Sequence, residues 1–171
     1  MKTSLVITFT GPDRPGIVEA LSKVVAGHGG NWERSRMARL AGRFAGILEI
    51  TIREGDRQKL AAELERIAGL HVFIDRNEPS DAVSGDRRLR LDLTGQDRPG
   101  IVREIATALA KRGVNIEDLS TESGSAPMSG EQLFHARLEL RCPPGLDVAE
   151  LRRAIERLSD DLVAEISLTE K

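Results

Sequence analysis

Tyrosine is absent from this chain, and Trp32 and four phenylalanines are its only aromatic residues. Sheets that bind RNA stack bases on aromatic side chains, so this scarcity argues against direct nucleic-acid recognition. A basic field is missing too. Lys and Arg number 25 against 27 Asp and Glu, a net charge of −2 and a pI of about 6.0. Neither nucleic acid nor an anionic membrane is the partner such a balance selects. Cys142 is the only cysteine, which rules out an internal disulfide and fits a reducing compartment. It ends an apolar strand pattern and reads as a small buried hydrophobe. No stretch approaches the ~20 apolar residues of a membrane span. The opening MKTSLVITFTG lacks the length and cleavage pattern of a secretory signal, so a cytoplasmic location is expected. The three histidines, His28, His71 and His135, have no cysteine or carboxylate at ligand spacing, so no metal is expected. No nucleophile-elbow motif is present, and neither catalytic residues nor a cofactor are expected.

One phrase occurs twice: TGPDRPGIV from Thr10 to Val18 and TGQDRPGIV from Thr94 to Val102. The offset is close to half the chain. Continued without gaps, the match also pairs Ala26 with Ala110, Gly29 with Gly113, Asn31 with Asn115 and Glu33 with Glu117. An internal repeat sets the number of folding units. Here it predicts two copies of one domain, at 1–77 and 87–171. The polar residues 78–86, within NEPSDAVSGDR, read as the linker.

Each copy opens on a strand. Leu5, Ile7 and Phe9 alternate with Val6, Thr8 and Thr10, and Leu89, Leu91 and Leu93 alternate with Arg90, Asp92 and Thr94. Period two with one apolar side marks a half-buried strand. Helices are predicted over Pro15–His28 and Pro99–Arg112. Each has one apolar stripe, a proline at its start and a glycine after its end. Second strands begin near Asn31 and Asn115. Third strands carry Leu48, Ile50 and Ile52, and Leu138, Leu140 and Cys142. Second helices present Leu60, Leu64 and Ile67, and Leu151, Ile155 and Leu158. Short strands Leu70–Asp75 and Leu162–Leu168 close the copies. The order β-α-β-β-α-β, twice, predicts an α+β chain of two ferredoxin-like domains, each an antiparallel sheet with two helices on one face. The copies differ after their second strands. A short turn lies at Leu40–Arg43, and a longer loop is expected at Ser123–Gly130.

The repeated phrase falls at a strand-to-helix turn. Gly11 and Gly95 end strands, where they can take dihedrals other residues resist. Asp13 and Asp97 can cap free amides. Pro15 and Pro99 start the helices, and Gly16 and Gly100 leave the first turn bare, so a ligand or another backbone can approach. Unpaired N–H groups there carry a partial positive charge that suits a carboxylate, while a nearby aspartate suits an ammonium group. Together they form a plausible seat for a zwitterionic amino acid. The same residues also make a plain cap and turn.

The β-α-β-β-α-β order, the D-R-P-G-I-V loop and the G-x-N before the second strand resemble ACT domains, small regulatory modules that bind amino acids. The resemblance covers both halves. It implies a ligand held between the loop of one unit and the second strand of a neighbouring unit. The implied ligand-binding residues are Gly11, Asp13, Arg14, Pro15, Gly16 and Ile17 with Asn31, and Gly95, Asp97, Arg98, Pro99, Gly100 and Ile101 with Asn115. Pro12 against Gln96 is the one difference inside the motif. A tandem pair of this kind is similar to ACT regulators of glycine cleavage. That similarity implies a non-enzymatic repressor sensing a small amino acid, glycine foremost, acting through a transcription-factor partner and forming a homodimer. The ACT part of formyltetrahydrofolate deformylase carries a similar loop, which offers the alternative of an enzyme's regulatory relative. Two features remain open. Arg34, Arg36, Arg39 and Arg43 read as a solvated strand and turn or as a surface for an anionic partner. Trp32 reads as core or interface packing or as a ligand platform.

Overall fold

The computed structural model describes residues 1–77, 86–125, 132–162 and 164–170. The chain divides into two compact units, Met1–Ser80 and Asp81–Lys171. Of the expected linker 78–86, only Asp86 lies among the described residues.

The first unit runs β1 (Lys2–Pro12), α1 (Ile17–Gly27), β2 (Asn31–Leu40), β3 (Arg43–Arg53), a 3-10 turn (Glu54–Asp56), α2 (Arg57–Leu64) and β4 (His71–Arg76). The second runs β5 (Arg87–Gln96), α3 (Ile101–Ala110), β6 (Asn115–Ser125), β7 (Gln132–Cys142), α4 (Val148–Leu162) and β8 (Ala164–Glu170). Both sheets are antiparallel, with strand orders β2-β3-β1-β4 and β6-β7-β5-β8. This is the ferredoxin-like β-α-β-β-α-β arrangement, present twice.

Register explains the cores. Leu5, Ile7 and Phe9 lie opposite Ile50, Leu48 and Gly46, so one side of the sheet is apolar. Ile17, Leu21 and Val25 of α1 and Leu60 and Leu64 of α2 close over it. Phe9 needs Gly46 beside it, since a Cβ there would come within 2.9 Å of its ring and 2.6 Å of Met37 Cγ. The second core repeats the plan with Leu89, Leu91, Leu93, Ile101, Ile105 and Leu109 under Leu151 and Ile155. Cys142 is fully buried there, and burial pushes its thiol pKa up. Trp32 packs against the first core, and its Nε1 donates to Ser35 Oγ at 3.3 Å.

Several boundaries differ from the sequence reading. α1 and α3 start at Ile17 and Ile101, two residues after the prolines, because Gly16 and Gly100 adopt left-handed φ of 87° and 93°. No right-handed helix can pass through that conformation. α2 ends at Leu64, and Ile67 reaches the core from the turn that follows. The last strands are His71–Arg76 and Ala164–Glu170, and Leu162 belongs to α4. The loop expected at Ser123–Gly130 is partly strand. Ser123, Gly124 and Ser125 pair with Phe134, Leu133 and Gln132, and residues 126–130 lie outside the described residues.

The two copies share one irregularity that periodicity does not reveal. The β2–β3 register shifts between Trp32 and Arg34, and the β6–β7 register shifts between Ile116 and Asp118. Glu33 and Glu117, identical in the repeat, are the extra residues of these bulges.

Candidate functional site

The loop after β1 is held from two sides. Gly11 lies inside β1 opposite Phe44, and a Cβ on it would meet Gly69 O at 2.4 Å and Leu70 Cδ2 at 2.6 Å. Neither Gly11 nor Gly95 has positive φ. Close approach of the turn before β4, not an unusual dihedral, requires glycine at position 11. Arg14 strengthens the same contact, its Nη2 donating to Ala68 O at 2.8 Å. On the other side, the Asp13 amide donates to Gly42 O at 2.9 Å. The Asp13 carboxylate accepts from Arg39 Nε at 2.7 Å.

Asp13 therefore does not cap α1, and among the described residues no side chain hydrogen-bonds the start of α1 or of α3. The left-handed glycine turns the chain so that the aspartate, three residues earlier, points to β2 instead. The first intrahelical bonds are Ala20 N to Gly16 O at 2.9 Å and Glu104 N to Gly100 O at 3.0 Å. The amides of Ile17, Val18 and Glu19, and of Ile101, Val102 and Arg103, precede those bonds. α4 shows the contrast, since Asp147 Oδ1 accepts from Ala149 N at 2.9 Å and Glu150 N at 3.1 Å. Around Gly16 there is open space, the nearest atom to a hypothetical Cβ being Glu19 Oε2 at 3.9 Å. Glycine serves the backbone here, and tight helix–sheet packing is not its reason. Pro15 and Pro99 are exposed, and Ile17 and Ile101 are core residues.

In the second copy the Asp97 amide donates to Gln132 O at 2.9 Å, the counterpart of the Asp13–Gly42 bond. The arginines diverge. Arg98 makes a two-pronged contact with Glu104, Nη1 to Oε1 at 2.9 Å and Nη2 to Oε2 at 2.7 Å. That hydrogen bonding holds the Glu104 carboxyl pKa below its ordinary value. The first copy has Ala20 at the matching position, so Arg14 has no such carboxylate.

Asn31 and Asn115 are not brought to these loops within their own units. Asn31 is opposite Thr51, which is opposite Ser4, whereas the loop leaves the sheet at Pro12. At ~3.3 Å per residue that separation is about 26 Å. Asn115 sits likewise beside Arg141 and Arg88, at the far end from Gln96. The Asn31 amide group donates to Glu33 Oε1 at 2.9 Å, and Thr51 Oγ1 donates to the same oxygen at 2.7 Å. These bonds, Asn31's first, lower the Glu33 pKa and pin the bulge. Each loop and each asparagine is thus presented at an opposite end of its sheet.

Of the basic run, Arg34 pairs with Glu49 and Arg39 with Asp13. His28 pairs with Glu63 at 2.8 Å, and His135 with Thr94 at 3.0 Å. Among the described residues no helix is long and apolar enough to cross a membrane.

Residues 3–73 and residues 90–135 each match the ACT domain family. The chain is 26% identical over 171 residues to the glycine cleavage system transcriptional repressor of Escherichia coli (strain K12), covering 96% of this chain and 88% of that protein. It is 29% identical over 180 residues to a phosphoserine phosphatase of Mycobacterium tuberculosis, covering 98% of this chain but 42% of that protein. A crystal structure of an unknown protein from Galdieria sulphuraria superposes with a TM-score of 0.91 at 31% identity, covering 100% of this chain and 99% of that one. With the same fold, the same loop and a family match in each half, the chain belongs to the ACT domain family as a tandem pair.

Proposed function

We propose that this chain is a non-enzymatic regulatory protein that binds a small amino acid, glycine foremost, and represses glycine cleavage genes through a transcription-factor partner. The observation that carries the reading is the uncapped helix start in both copies, each opened by a left-handed glycine. Its free amides and partial positive charge suit a carboxylate. Asp97 provides the anion for an ammonium group, and Asp13 does so where the ammonium displaces Arg39 from its carboxylate. The Cα of the ligand faces the exposed loop of Arg14 and Pro15 or of Arg98 and Pro99, and Gly11, Gly95, Ile17 and Ile101 hold the loop to the sheet. The placement of Asn31 and Asn115 at the sheet ends away from their own loops supports a site completed by a second copy of the chain, with a homodimer as the working form. The names of two relatives, one concerned with glycine cleavage and one with phosphoserine, both refer to small amino acids. Binding would act by favouring one association state over another.

Isothermal titration with glycine, serine, alanine and the branched amino acids tests this. Saturable heat for glycine or serine is expected, weakened in Asp13→Asn or Asp97→Asn. Absence of heat with every amino acid would reject the reading.

A further inference from the structure

The two sheets differ on the faces turned away from their helices. Register matches Val6, Ile47 and Phe73 of the first unit with Arg90, Arg137 and Ser167 of the second. The second face is laced with cross-strand ion pairs, Arg90 to Glu139 at 2.8 Å and Arg137 to Asp92 at 2.9 Å, as a solvated sheet face should be. The first has an apolar centre, with Ile47 47% and Phe73 64% exposed. One repeat built on one fold has taken opposite chemistry at matched positions, so the fold does not demand the apolar version.

Beside Ile47 lies a groove of about 430 Å³, within the range of small-molecule sites. Val6 and Ile47 form its floor, and Arg34, Arg36, Glu49 and Asn77 line its walls. One wall is fixed. The Glu49 carboxylate accepts from Arg34, from Ser4 Oγ at 3.1 Å and from Asn77 Nδ2 at 2.6 Å. Arg36 stands opposite Ile47 on the edge strand, and its guanidinium makes no hydrogen bond or ion pair among the described residues. The second unit has Ser120 at that position, and Arg90 and Arg137 stand where Val6 and Ile47 make the apolar floor.

We infer that this groove binds a monocarboxylate with a branched or aromatic apolar body and no ammonium group. The carboxylate pairs with the Arg36 guanidinium, whose fork matches it, and the apolar body covers Val6 and Ile47. Glu49 is already occupied by three donors, one of them cationic. An ammonium group would therefore meet Arg34 and Arg36 without a spare anion, which selects against amino acids. This site is separate from the β1–α1 loops and stands or falls apart from the glycine reading.

The test is a methyl and amide NMR titration of the full chain with 4-methyl-2-oxopentanoate, beside leucine and glycine. Two variants install the second unit's residues, Arg36→Ser and Ile47→Arg; the second sheet shows that the fold accepts both. Saturable shifts centred on Val6 and Ile47 are expected. Binding should weaken about tenfold or more in each variant, and about tenfold for leucine. Their amide spectra should otherwise match the parent chain's. No saturable shift at these methyls, undiminished binding by Arg36→Ser, or equal affinity for leucine would overturn the assignment. Glycine-induced shifts confined to the loops report on the other site only.

Discussion

Gly11 and Gly16 are each retained between the copies for a different reason, and substitution separates them. Gly16 has φ of 87° with open space around it. Gly16→Ala should therefore cost only the left-handed penalty, about 1 kcal/mol. Gly11 has an ordinary strand dihedral but no room, so Gly11→Ala must push Gly69 O away and should cost more, about 2–3 kcal/mol. Urea denaturation of both variants checks the order; a Gly16 variant that lost more stability than the Gly11 variant would contradict it. Glu49 gives a pH signature. Hydrogen bonding from Arg34, then Ser4, holds its carboxyl pKa below the ordinary 4.5, while desolvation acts the other way. A depressed folded pKa makes the contribution complete above 4.5 and lost as pH falls through the lower folded value. Glu49→Gln should thus flatten the acid limb of the stability curve, measured by denaturant melts at a series of pH values. A limb of unchanged steepness would show the carboxylate to be uncoupled from folding.

At the level of elements, the β2–β3 connection is a two-residue hairpin, since Leu40 pairs with Arg43. Ala41 and Gly42 both have positive φ, 47° and 75°, the signature of a type I′ turn. Alanine is poorly suited to that first position and asparagine well suited. Ala41→Asn should stabilise the chain by about 0.5–1 kcal/mol, seen as a raised denaturation midpoint with an unchanged slope. A lowered midpoint would mean the turn is not type I′. The same elements show what was legible in the chain. Strands β1, β3, β5 and β7 were readable because Leu5, Ile7 and Phe9 and their counterparts alternate cleanly against one core. The edge strand β2, NWERSRMARL, is nearly all exposed, so it carries no period beyond its start. The helix starts were misplaced because proline followed by glycine reads as a first helical turn, whereas the glycine's left-handed φ postpones it. Asp13 was taken for a cap for the same reason. The Glu33 and Glu117 bulges were visible only as unexplained identities in the repeat. The motif residues were found, but their separation from Asn31 and Asn115 depends on antiparallel register. Adjacency in a family pattern does not convey it.

For the molecule as a whole, the repeat predicts more than a count of domains. Among the described residues, every member of the first core cluster comes from Leu5 to Ile74 and every member of the second from Leu89 to Leu168. Each core is closed by the two helices of its own unit. We propose that 1–77 and 87–171 fold separately. Units this small are marginal, because the fraction of surface they bury is low, so each half should be less stable than the intact chain but still cooperative. Expressed alone, each should give mixed α/β circular dichroism and a single thermal transition. Dispersed amide spectra should overlay on their half of the full-length spectrum. If both halves were unfolded while the full chain melted as one unit, the boundaries would be wrong and the stability would come from contacts the halves make together. If the halves fold, the glycine titration can be repeated on each. A site completed by a second copy predicts that neither half alone binds as tightly as the full chain, and that binding strengthens with protein concentration as dimers form.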